Sequence, residues 1–151
     1  MVNELEKLLS KAESECKKSG VRLTDKRKNV LSVLYHHQTP MSAYDVIERY
    51  RETYGSTLQA MSMYRMLNLL VEVGLVHKLE TTNQYLICSH IICDHVHAMP
   101  QFLICDTCHS VEEIGVASDV LDRLRASADD SGFVISNQQL EIHGRCASCS
   151  E

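Results

Sequence analysis

The chain has 151 residues, of which 44% are hydrophobic and 23% charged. That is enough to bury one large core or two small ones, and it excludes disordered and fibrous classes. The formal charge of −5 argues against a simple DNA binder, until it is divided along the chain. Residues 1–85 hold 12 Lys/Arg against 10 Asp/Glu, whereas residues 86–151 hold 3 against 10.

The cysteines divide the same way. Of seven in all, only Cys16 falls in the mildly basic part. One half is thiol-poor and the other is acidic and rich in metal-binding side chains, which predicts two domains with two jobs. No apolar run approaches the ~20 residues that span a bilayer, and MVNELEKLL lacks a secretory apolar core, so a cytoplasmic protein without a membrane segment is expected. Reducing compartments disfavour structural disulfides, so seven thiols point to metal binding or redox chemistry, and the odd number leaves one outside any complete pairing.

In chain order, Leu5, Leu8, Leu9, Ala12 and Cys16 make one helical stripe that Gly20 stops. Thr24 is an N-cap for a second helix to about His36, with Val30, Leu31 and Leu34 inward. Pro40 breaks the chain. Ser42 then caps a third helix carrying Ala43, Val46, Ile47, Tyr50 and Tyr54. After Gly55 a fourth stripe runs through Met63, Met66, Leu67, Leu70 and Val71 to Gly74. Two β-like runs, 75–79 and 84–88, flank the turn-forming Thr81-Thr82-Asn83.

Helices followed by a small hairpin is the winged helix-turn-helix order, in which the last helix enters the major groove. The remainder reads as strands at 101–105 and 110–114, then a helix with Ala117, Val120, Leu121, Leu124 and Ala128 on one face. Two further strands are expected near 133–136 and 139–144. So small a sheet with one helix leaves apolar surface for a second copy to cover. The expected fold is α+β: a winged helix-turn-helix domain over 1–87 and a small α/β dimerisation and metal-binding domain over 88–151.

Cys105-x-x-Cys108 with Cys146-x-x-Cys149 carries the most specific chemistry. Two residues between thiolates let both sulfurs reach one ion about 2.3 Å away, and two such pairs close a tetrahedral zinc shell. A redox C-x-x-C needs only one such motif, at a helix N-terminus, whereas these two lie beside strands.

A looser set comprises His77, Cys88, the segment holding His90, Cys93, His95 and His97, and Glu113. If the hairpin loop is 80–83, Leu79 pairs with Gln84, and His77 and Cys88 become diagonal neighbours on one face. A three-residue loop would separate them. Cys, two His and a carboxylate favour zinc over iron(II), because thiolate is the softer donor.

On the fourth helix, Arg65 and Asn68 share the face opposite the apolar stripe, and Arg can donate a bidentate pair to guanine. Tyr44 and Tyr64 add aromatic contacts, while Lys26, Arg27 and Lys28 suit phosphates. A solvated, ordinary helix face is the competing reading.

RLTDKR (22–27), SAYDVIERY (42–50), MYRMLNLLVEVGLVHKLE (63–80), FLICDTCHSVEE (102–113) and HGRCASC (143–149) together resemble the ferric uptake regulator superfamily over nearly the whole chain, and within it the zinc uptake regulator branch. The resemblance implies a homodimeric winged-helix repressor in which metal at an interdomain site fixes two reading heads at operator spacing. Carried over by position, the structural zinc site falls on Cys105, Cys108, Cys146 and Cys149. The sensor site falls on His77, Cys88, Glu113 and a histidine ahead of FLIC, taken as His97, with His95, His90 and Cys93 as alternatives. The base-reading pair falls on Tyr44 and Arg65.

Departures are Asp25 for a usual Pro, Met61-Ser62-Met63 where Pro-Thr-Val is usual, and a longer loop between Cys88 and Cys105. The expected function is a zinc-responsive, DNA-binding repressor of zinc uptake and homeostasis genes, with zinc as co-repressor and no enzymatic activity. Its rivals are an iron or peroxide sensor of the same superfamily, a zinc hydrolase with an open water position, and a zinc-ribbon interaction module.

Overall fold

The computed structural model describes residues 3–37, 39–88, 91, 101–136 and 139–151, and the chain divides into two compact units, Met1–Cys93 and Asp94–Glu151. The first contains α1 (Glu4–Lys18), α2 (Asp25–His36), α3 (Ala43–Tyr54), α4 (Ala60–Val73), β1 (Val76–Leu79) and β2 (Gln84–Ile87). Helix starts follow the capping chemistry. Thr24 Oγ1 accepts from the Arg27 amide at 3.4 Å. Ser42 and Asp45 cap one another reciprocally, each bond 3.2 Å long. Such caps satisfy amides that the helix itself cannot and are worth about 1 kcal/mol each.

The apolar stripes then meet. Leu8, Ala12 and Cys16 of α1 join Val30, Leu31 and Leu34 of α2, Val46 and Tyr50 of α3, and Met63, Leu67 and Leu70 of α4 in one buried cluster. Gly74 ends α4 at φ 89, a left-handed conformation that a side chain would strain. It lets the chain turn at once into β1, and the Leu75 amide returns to the Leu70 carbonyl at 2.9 Å. In the wing, Leu79 pairs with Gln84 and His77 with Leu86, which is the four-residue-loop register. Met41 adds an isolated antiparallel bridge to Tyr85.

The second unit contains β3 (Gln101–Cys105), β4 (Val111–Ile114), α5 (Ser118–Asp130), β5 (Glu141–Gly144) and the short α6 (Ala147–Ser150). Its sheet has the order β4-β3-β5, with β4 antiparallel and β5 parallel to β3. The strand expected at 133–136 does not form. Among the described residues this stretch pairs with neither edge strand of the β4-β3-β5 sheet, and Phe133 and Val134 stand 66% and 83% exposed. The strand expected at 139–144 is shortened to Glu141–Gly144, and α6 was not anticipated. Among the described residues, no helix is long and apolar enough to cross a membrane.

Candidate metal centres and nucleic-acid surface

Cys105 ends β3, and its parallel partner on β5 is Gly144. That pairing, with the Asp106 amide donating to the Gly144 carbonyl at 2.9 Å, delivers Cys146 to the same place. The ligand atoms of Cys105, Cys108, Cys146 and Cys149 all lie within 4.8 Å of one another. Cys108 Sγ is 3.7 Å from Cys146 Sγ. A regular tetrahedron with metal–sulfur bonds of about 2.3 Å has edges of about 3.8 Å, whereas a disulfide needs about 2.05 Å. The described thiols are unbridged, and their spacing fits a four-sulfur metal shell.

The electrostatics agree. Amides of Cys108, Cys146 and Thr107 aimed at its sulfur pull the Cys105 thiol from 9.0 down to about 5. Cys108 is held below its usual range by hydrogen bonds from the Ser110 side chain and backbone. Hydrogen bonding to Cys146 and then Cys108 pushes Cys149 up to about 12, so it keeps its proton. Four sulfurs this close cannot all ionise by themselves; a divalent cation removes that obstacle and displaces the protons that remain.

Beside this cluster His143 Nδ1 lies 2.7 Å from Asp106 Oδ1. Sequence reasoning found no partner for His143, because the parallel pairing of β5 with β3 leaves no periodic signal. His109 takes a positive φ of 62 in the tight turn between β3 and β4, where its amide donates to the Cys105 carbonyl at 2.9 Å.

On the wing, His77 belongs to β1 and Cys88 follows β2 directly. The register puts them diagonally across the hairpin, with their ligand atoms within 4.8 Å. The His77 Nε2 atom is buried, and the Cys88 amide is anchored to the Leu75 carbonyl at 2.9 Å. Glu113 stands on β4 opposite Phe102 and is half-buried. His97, expected as a further ligand, lies outside the described residues, as do His90, Cys93 and His95.

The candidate reading surface is built by α3 and α4. Tyr44, in the first turn of α3, is 65% exposed. Its ring meets that of Tyr64 edge-on, with centroids 6.4 Å apart, so the capping box of α3 and the packing of α4 together fix its position. Arg65 and Asn68 are exposed on α4. Met61, 66% exposed in the first turn of α4, is an apolar side chain on this candidate surface that sequence reasoning passed over. It stands off the buried stripe, and that is the signal which would have singled it out. Lys26 is exposed at the start of α2. Arg27 is half-buried, and its Nη1 donates to the Arg22 carbonyl at 2.6 Å, so the chain's own backbone already engages its guanidinium. Lys28 faces Glu13 at 3.9 Å.

Comparison with known proteins gives the same grouping. The profile of the ferric uptake regulator family matches residues 18–143. The zinc uptake regulation protein of Escherichia coli (strain K12) is 37% identical, over 97% of this chain and 83% of that one. A solved zinc uptake regulator complexed with zinc and DNA superposes with a TM-score of 0.83 at 35% identity, covering 99% of this chain and 97% of that one. Holo XcZur superposes at 0.77 with 36% identity, covering 97% and 98%. The chain belongs to the ferric uptake regulator family.

Proposed function

We propose that the protein is a zinc-responsive transcriptional repressor that binds double-stranded operator DNA as a homodimer, with zinc as co-repressor, and controls genes of zinc uptake and homeostasis. The observation that carries this reading is the His77–Cys88 pair, an imidazole and a thiol within 4.8 Å on the hairpin beside the candidate reading helices. A thiolate donor favours zinc over iron(II), and similarity to a zinc uptake regulator complexed with zinc and DNA supports the same choice.

In this reading residues 1–87 read DNA, and residues 88–151 pair the subunits and bind metal. Cys105, Cys108, Cys146 and Cys149 hold a structural zinc. His77, Cys88, Glu113 and His97 hold the regulatory one, following the family pattern residue by residue. When bound, zinc supplies a tetrahedral crosslink rather than a reactive centre, because four protein ligands leave no open position for water. The protein accordingly acts as a cytoplasmic regulator and not as an enzyme.

Arg65 reads a base edge, Tyr44 and Tyr64 pack against the duplex, and Lys26 and Arg27 contact phosphates. Arg27 must release the Arg22 carbonyl to do so. Dimerisation is supported by the exposed Val120 and Leu124 of α5 and by Phe133 and Val134 beyond it, apolar surface that a second copy covers.

The test is binding of an operator fragment at buffered free zinc. The wild-type chain tightens its grip as zinc rises, whereas Cys88→Ser stays a folded dimer and loses that response. Zinc dependence unchanged in Cys88→Ser would remove Cys88 from the regulatory set.

A further inference from the structure

The wing does not end at its two strands. The Met41 amide donates to the Tyr85 carbonyl at 2.9 Å, and the Tyr85 amide donates to the Met41 carbonyl at 2.7 Å. This is a reciprocal antiparallel pair, while Lys78 faces Tyr85 from β1 on the other side. β2 is therefore flanked on both sides, by β1 along its length and by the single Met41 bridge. Met41 and Tyr85 are 2% and 1% exposed, so water competes little for these bonds.

Each side of the bridge leads to a functional element. Met41 immediately precedes Ser42, the residue whose hydroxyl caps α3 and whose helix presents Tyr44 in its first turn. Tyr85 shares its strand with the approach to Cys88. The Cys88 amide binds the Leu75 carbonyl, and the Leu75 amide binds the Leu70 carbonyl near the end of α4. β2 thus pairs with the residue just before the cap of one candidate reading helix, and Cys88, directly after β2, pairs with Leu75, two residues past the end of the other.

We propose that Met41 and Tyr85 are positioning residues, through which a metal held at His77 and Cys88 sets the placement of Tyr44 and Arg65 inside the same unit. This rests on the regulatory reading above. A crosslink at the open end of the β1–β2 hairpin suppresses fraying of β2, and the bridge passes that restraint to the cap of α3. By linkage the effect is reciprocal: duplex seated on α3 and α4 tightens metal binding at the hairpin.

Residue-resolved amide hydrogen exchange on the full chain, with and without zinc, tests this. Zinc slows exchange at Met41, Tyr85 and Asp45 by about ten-fold, a coupling of ordinary size, and Cys88→Ser abolishes the slowing. Slowing at His77 and Cys88 with Met41 and Tyr85 unchanged overturns the inference and leaves the regulatory reading standing. Equal slowing at a remote core amide such as Ala12 of α1 means general stabilisation and also overturns it. Zinc that neither binds the hairpin nor strengthens operator binding sinks both. A second arm uses Met41→Pro, which removes the donor: zinc content and circular dichroism stay as in the wild type, while the zinc response of operator binding falls about ten-fold. A full response in a folded Met41→Pro protein contradicts the proposal. If that variant does not fold, the exchange data on the wild-type chain decide.

Discussion

The first unit draws side chains from four helices and the wing into one buried cluster, with Val30, Leu31, Val46, Met63, Leu67 and Leu70 essentially sealed from water. In the second unit no residue of α5 is fully buried, Leu121 and Ala128 being half-buried, and the buried apolar positions among the described residues are Phe102, Ile104 and Cys105. The two regions therefore fold on different physics. Apolar burial at about 25 cal/mol per Å² suffices for a compact helical cluster, whereas a small sheet with one uncovered helix needs a staple. Cys105 and Cys146 show how the staple is placed: it joins the exit of β3 to the exit of β5, the two ends that hydrogen bonding alone holds by a short parallel pairing.

The contrast can be broken most severely at the thiols. Stripping metal with a chelator, or replacing Cys105 with Ser, removes a binding free energy on the order of 10 kcal/mol. The expected result is loss of one zinc per chain in Cys105→Ser and of both with the chelator, a dispersed dimer and collapse of the second unit in heteronuclear spectra, while the helical signal of α1 to α4 persists. A second unit that keeps its structure without metal would show that its sheet is self-sufficient after all. The converse change is Leu67→Ala in the first unit, where a sealed leucine is truncated. It should cost about 3 kcal/mol in denaturant titrations with zinc content unaltered.

Arg65→Ala sharpens the comparison at the surface, since Arg65 is exposed. Operator affinity should fall by about 1–3 kcal/mol, measured by fluorescence anisotropy, with the melting temperature unmoved. Ser42→Ala is the mildest: losing the capping bond to the Asp45 amide should cost about 1 kcal/mol. It should also loosen Tyr44, seen as faster exchange in the first turn of α3.

What could be read before any coordinates was largely local. Thr24, Ser42, Gly55 and Gly74 are punctuation whose physics is complete within a few residues, and the structure uses each where expected. The four cysteines were equally legible, because a C-x-x-C pair states its geometry in its spacing. The hairpin register was a choice between two loop lengths, and the longer loop is the one observed.

Most of the misses are non-local, α6 and Met61 aside. The apolar run Phe133, Val134 and Ile135 suggests a strand at 133–136, but a strand also needs a partner ladder, and this stretch pairs with neither β4 nor β5. The diversion of Arg27 toward the Arg22 carbonyl depends on a side-chain direction that spacing does not encode. The single Met41–Tyr85 bridge has no periodicity to betray it. His143 found Asp106 only because β5 runs parallel to β3.

Within the sulfur cluster, Cys105 is buried whereas Cys108 is exposed. A competing ligand can therefore approach from the Cys108 side and displace thiolates one at a time before the ion departs. Exchange by that route scales with the concentration of the competitor instead of running at a fixed intrinsic rate. An ion held by these sulfurs would for the same reason be open to replacement whenever another strong chelator is abundant nearby.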